Sequence, residues 1–228
     1  MIIKNKKNIP PPSIWIFLGP SLSHESAQKI LPARYLAPIQ RGALSRAIKE
    51  SAKIIGIIDG SFYRTYAVSP FEIISGLRAG IKFFGASSMG ALKAVECESF
   101  GMVGIGQIFQ WYRSGKIEAE DEVAMVFDPD TLKPLSVPFV NMRYAFSFAE
   151  TEGLLTRSEK NFLLRSAKKI YFPERSYEKM FAIAKTKGFP SSKIQKLNKY
   201  VKNKARDLKA LDAIACLEAI RNSLENES

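Results

Sequence analysis

The run Ala86-Ser87-Ser88-Met89-Gly90 is the strongest candidate for chemistry in this 228-residue sequence. It follows the apolar stretch Ile81-Lys82-Phe83-Phe84 and opens a segment of helical character, which places Ser88 in a small-x-Ser-x-Gly pattern. Small residues at that spacing let a chain turn sharply from strand to helix, so that the serine oxygen projects as in a nucleophile elbow. Ala86 stands where such elbows usually carry glycine. The Met89 amide would then be an oxyanion donor, aided by the positive end of the helix dipole. The competing expectation is an ordinary helix N-cap at Ser88, with Gly90 kept for packing.

A serine nucleophile needs a base. His24, the single histidine, lies in Leu22-Ser23-His24-Glu25, where Ser23 can cap a helix and a solvent-facing histidine is expected. A neutral lysine is the other option, because burial or nearby cations depress its pKa. Lys93 follows Ser88 by five residues, roughly 140° around a helix, so it points away from the serine. Lys209 lies in Asp207-Leu208-Lys209-Ala210-Leu211-Asp212. Lys204 and Arg206 favour its neutral form and the two aspartates oppose it, a balance the sequence leaves open.

Gly19-Pro20-Ser21 and Asp59-Gly60 also follow apolar runs, so a parallel sheet would bring them to the edge that carries Ser88. Gly101-x-x-Gly104-x-Gly106 lacks the spacing of a dinucleotide fingerprint, and there is no Walker A sequence. Glu118-Ala119-Glu120 and Asp121-Glu122 read as a solvated acidic turn.

The elements that must position these residues alternate. Ile14–Leu18, Lys53–Ile58 and Ile81–Phe84 are apolar on both faces and alternate with helical stretches after Ser23, over 43–51, from Pro70 to Ala79, and from Met89 to about Cys97. That pattern predicts an α/β fold with a mostly parallel sheet and helices on both faces. Gly101–Gly106 reads as a flexible connection into a helix holding Phe109 and Tyr112. After Pro138 the chain turns helical, with helices expected over Phe139–Thr151, Ser158–Ile170, Ser176–Lys187 and one long helix from Ser192 to about Leu224. The expected division is a basic, proline-rich segment 1–13, an α/β core 14–145, and a basic helical region 146–228 packed on it.

Composition narrows the class. Hydrophobic residues at 46% and charged residues at 25% are globular values. No apolar run approaches the roughly 20 residues of a membrane span, and Met1–Pro12 has no signal-peptide pattern. With two cysteines, no CxxC and one histidine, no metal site, cofactor or disulfide framework is expected. A cytoplasmic location follows as the expectation. The net charge of +12 is densest between Lys185 and Lys209, where nine basic residues meet one acid. Such a surface favours an acidic partner. Nucleic acid is not expected, since aromatic residues are not interleaved with the cluster and no nucleic-acid motif appears.

Taken as an ordered set, Phe17-Leu18-Gly19-Pro20-Ser21-Leu22, Gly56-Ile57-Ile58-Asp59-Gly60, Gly85-Ala86-Ser87-Ser88-Met89-Gly90-Ala91-Leu92, Gly101-Met102-Val103-Gly104-Ile105-Gly106 and Asp121-Glu122-Val123-Ala124 resemble the TfuA family. The resemblance covers about residues 14–145, with a weaker match at Asp207–Asp212. It implies work beside a YcaO protein, an ATP-using enzyme that activates a peptide amide, in exchanging that oxygen for sulfur. It further implies release of sulfide from a thiocarboxylated ThiS-type carrier by a serine–lysine pair, and help for YcaO in engaging its precursor peptide or protein. The serine carries over to Ser88. Relatives often have arginine where Lys93 stands, so the lysine role transfers to Lys209, with Lys93 as the alternative base. Relatives often carry a basic residue near Pro70-Phe71-Glu72; Phe71 stands there in this chain. Gly19, Pro20, Ser21, Asp59, Gly60, Gly85 and Ser87 would form the channel for the carrier's glycine-rich tail. A non-catalytic adaptor bridging YcaO, substrate peptide and carrier is the rival expectation.

Overall fold

A computed structural model of the chain describes residues 13–62 and 67–226. The expected N-terminal basic segment therefore lies, apart from Ser13, outside the described residues. The chain forms two compact units, Met1–Glu118 with Lys209–Ser228, and Ala119–Leu208. The boundaries of these units fall after residues 118 and 208.

The first unit is built on five parallel strands: β1 (Ile14–Phe17), β2 (Arg34–Leu36), β3 (Ile54–Ile57), β4 (Lys82–Gly85) and β5 (Val103–Gly104), in the order β2-β1-β3-β4-β5. β1 and β3 are buried along their whole length, which is why they read as unbroken apolar runs. The helices are α1 (His24–Ile30), α2 (Ala43–Lys49), α3 (Pro70–Arg78), α4 (Met89–Cys97) and α5 (Gly106–Arg113), joined by α10 (Leu208–Asn226) from the end of the chain. Local chemistry sets their starts. Ser23 accepts from the Ser26 amide, and Ser69 with Glu72 forms a capping box around Pro70. Ala213, Cys216, Leu217 and Ile220 of α10 pack with Ile14, Ile16, Ile54, Ile58 and Phe84 in one core. Burial of an aliphatic side chain contributes about 1.5–3 kcal/mol, so this cluster holds α10 firmly on the sheet.

The second unit contains α6 (Phe139–Thr151), α7 (Arg157–Lys168), α8 (Tyr177–Thr186) and α9 (Ser191–Asn203). Phe139, Met142, Phe146, Leu163, Met180, Phe181, Leu197 and Tyr200 form its core. The long helix expected from Ser192 is two helices. α9 ends where the Lys204 and Ala205 amides both donate to the Tyr200 carbonyl, and α10 begins at Leu208. The physical reason is that the two stretches bury against different cores, Leu197 and Tyr200 in one and Ala213–Ile220 in the other.

Other expectations are corrected too. β5, of two residues, lies in the stretch expected to be a flexible connection, and β2, for which there was no expectation, is only half-buried, with Arg34 stacked on the Trp15 ring at 4.2 Å. The acidic turn is solvated at Glu118 and Glu120 but not at its end. Glu122 is 1% exposed and takes both Nε and Nη2 of Arg143, at 2.7 and 2.8 Å, while fully buried Arg175 pairs with Asp121. Part of the basic cluster is already partnered, Lys193 with Glu159 and Lys204 with Glu152.

Candidate active site

Three strand ends of the first unit converge on one serine. After β4 the chain turns through Ser87, whose φ is +65°, and Ser88 follows as the residue before α4. The Ser88 and Gly90 amides both donate to the Ile58 carbonyl, at 3.2 and 3.3 Å, which ties the turn to the end of β3. Only glycine fits at 90, because a Cβ there would lie 1.7 Å from the Ile57 oxygen. Ser88 holds the N-cap position of α4 yet makes no capping hydrogen bond with its side chain.

Its hydroxyl instead meets a lysine. Lys209 Nζ lies 3.0 Å from Ser88 Oγ, and the two residues are 1% and 2% exposed. Asp59 Oδ1 stands 3.7 Å from the same Nζ, an ion pair just beyond hydrogen-bond length. Asp59 is held by the Gly19-Pro20-Ser21 turn: the Gly19 and Ser21 amides donate to Oδ2 at 2.9 Å each, and Ser21 Oγ donates to Oδ1 at 2.7 Å. Ser87 Oγ in turn donates to Ser21 Oγ at 2.9 Å. Lys209 and Asp59 are each 1% exposed. A serine and an amine within hydrogen-bond reach, the amine oriented by a third group, can carry out nucleophilic catalysis.

The structure thus brings Ser88, Lys209, Asp59, Ser21 and Ser87 together. Gly19 and Pro20 shape the turn that holds Asp59, and Met89 opens α4 beside them. Lys93 is not at the site; it pairs with Glu96 on its own helix at 2.8 Å. His24 Nε2 lies 2.8 Å from the Leu18 carbonyl. Gly60 and Gly85 pack closely on neighbouring protein atoms on the side where a side chain would point. A Cβ at 60 would sit 2.7 Å from Met89 Cβ, and one at 85 would sit 2.3 Å from the Gly90 oxygen, so their room is filled by the protein itself. Asp212 is turned to the start of α5, accepting from the Gln107 and Ile108 amides. Cys97 and Cys216 are buried, and desolvation pushes their thiols up to about 11 and about 12, so neither offers a thiolate at neutral pH. Among the described residues, no three or more His, Cys, Asp or Glu side chains are grouped to hold a metal, and no helix is long and apolar enough to cross a membrane.

A role for Asp59 as a partner of Lys209 escaped the sequence. The signal available was its place after β3, the same kind of position that singled out Ser88. Two comparisons with known proteins bear on the arrangement. A family model described as TfuA-like protein matches residues 59–176, which include Asp59 and Ser88 and end before Lys209. No curated protein matches the chain.

Proposed function

The chain belongs to the TfuA-like family, and on that premise we propose that it hydrolyses the thiocarboxylated C-terminus of a ThiS-type sulfur carrier. The family is associated with YcaO-dependent thioamidation, and the sulfide so released would serve that reaction on a peptide or protein substrate. The observation that carries the reading is the 3.0 Å contact between Ser88 Oγ and Lys209 Nζ, made by a serine that forgoes its capping bond.

In the proposed sequence the neutral Lys209 amine takes the Ser88 proton as Oγ adds to the thiocarboxylate carbon. The Met89 amide receives the oxyanion. The C–S bond then breaks with the proton passing from Lys209 to sulfur, which leaves hydrosulfide and a carrier ester on Ser88. Water, deprotonated by Lys209, cleaves the ester and restores the serine. One water is consumed, and the products are a carrier carboxylate and hydrogen sulfide.

Asp59 fixes the amine and stabilises the ammonium formed during each step. A tail reaches Ser88 only when the side chains burying it move. That burial is also the observation favouring the second reading, a non-catalytic adaptor that helps YcaO engage its substrate and leaves Ser88 as structure. Incubating the protein with a thiocarboxylated carrier and measuring sulfide separates them: release above the uncatalysed rate supports the hydrolase, and none supports the adaptor.

A further inference from the structure

Asp212 follows Lys209 by three residues on α10, and the reaction above leaves it unused. Its carboxylate, 4% exposed, accepts the Gln107 amide on Oδ1 at 2.9 Å and the Ile108 amide on Oδ2 at 2.7 Å. Those amides open α5, where the first donors lack intrahelical acceptors and the dipole favours a negative charge. The residue in the N-cap position is Ile105, whose side chain accepts nothing, so the cap comes from 105 and 104 residues away. Gly106 makes room for it. Its φ is +93°, and a Cβ there would lie 2.4–2.6 Å from the carboxylate atoms.

Residues three apart share a helix face. A contact that fixes Asp212 therefore fixes the rotation and axial position of the turn that carries Lys209. We propose that Asp212 is a positioning residue: it clamps the first turn of α10 to the start of α5 and so holds Lys209 Nζ within reach of Ser88 Oγ. The proposal rests on the Ser88–Lys209 reading above.

A buried carboxylate is a costly cap where serine or asparagine would serve, and its charge makes the clamp sensitive to acid. Burial, partly countered by the two amides, pushes the Asp212 carboxyl up to about 6. Cys216 faces it from the next turn of α10 and stays a neutral thiol, while α5 meets it with Gly106 and backbone amides. Acidification through pH 6 thus neutralises the clamp. For stability the sign is opposite. With the folded-state value raised, the contribution of Asp212 to stability is full below its ordinary value of 3.8 and is lost as pH rises through about 6. Acid therefore slows Lys209-dependent chemistry while, at this group, favouring the fold. A merely structural role would move the two together.

Fluorophosphonate labelling, located by peptide mass mapping and followed between about pH 5 and pH 9, reads the activation of Ser88 without the natural substrate. In the wild type, Ser88 is expected to label with an acid limb near pH 6. Asp212→Asn is isosteric but turns an NH2 group toward one of the two donors. It should label roughly tenfold slower or worse at pH 8, lose that limb and keep the wild-type far-UV spectrum. A folded Asp212→Asn with the wild-type rate and limb overturns the proposal and leaves the Ser88–Lys209 pair standing. Absence of Ser88 labelling in the wild type at every pH removes the pair itself, and the proposal with it. Should Asp212→Asn fail to fold, Asp212→Ser, a shorter neutral cap, decides: a folded variant that labels Ser88 roughly tenfold slower or worse at pH 8 supports the clamp, and one that labels at the wild-type rate overturns it.

Discussion

Both compact units bury charged side chains, but they surround them differently. In the helical unit, buried Arg175 donates to the carbonyl oxygens of Ala167, Asp121 and Ile170 as well as to the Asp121 carboxylate. Arg143 grips Glu122 with two parallel bonds, and both guanidiniums lie over the Phe139 ring. In the α/β unit, Lys209 meets a serine hydroxyl at 3.0 Å and a carboxylate at 3.7 Å. Guanidinium stays charged at any working pH and offers a fixed fork of donors, so it suits a network that must not change. An amine is the group of the two that can exchange its proton, which is what the proposed reaction asks of Lys209. The saturated guanidinium networks fit an architectural role, and the lysine beside a hydroxyl is what the proposed chemistry needs.

The largest effect expected from this contrast is at the serine. Ser88→Ala should lower sulfide release by about a thousandfold or more with the fold intact, whereas Ser87→Ala, which removes a donor to Ser21, should cost far less. Sulfide assays beside circular dichroism check both. Next comes the amine. Lys209→Ala should slow the reaction by roughly 10²–10⁴, and Lys209→Arg should not restore it because guanidinium stays protonated. A Lys209→Arg protein at the wild-type rate would move the base elsewhere.

In the helical unit the same kind of change should act on stability alone. Glu122→Ala leaves Arg143 without its carboxylate and should cost about 3–5 kcal/mol, read as a lower denaturant midpoint at an unchanged slope. Labelling of Ser88 in the folded fraction should be unaltered. The smallest effect is expected from the exposed lysines Lys196, Lys199 and Lys202 on α9. Reversing their charge should slow association with the carrier or YcaO by about tenfold at low salt and flatten the salt dependence. Turnover of a small thioester should not change. If the triple variant instead bound both proteins normally and lost affinity for RNA, a nucleic-acid role would replace this one.

What could be read from the sequence follows from the range of the interactions. Ile14–Phe17 and Ile54–Ile57 announce themselves because a strand buried on both faces is apolar at every position. The turn at Ser88 is legible because its small residues are adjacent. β2 is not, since an edge strand carrying Arg34 and Tyr35 has no continuous apolar signature. The break between α9 and α10 was hidden because both halves keep a helical period while burying against separate cores. The meeting of Lys209 with Ser88 spans 121 residues, so it was accessible only through elimination and family resemblance. Glu122 looked like surface because its neighbours are acidic; its guanidinium partner lies 21 residues on.

The central claim is that Ser88 becomes covalently bonded to the carrier during turnover. Rapid quenching of the protein with a thiocarboxylated carrier, followed by intact-mass analysis, tests it directly. The account predicts a hydroxylamine-sensitive conjugate of protein and carrier, mapped to Ser88 and absent in Ser88→Ala, which forms as sulfide appears. Sulfide released at the wild-type rate by Ser88→Ala, with no conjugate in either protein, would contradict it.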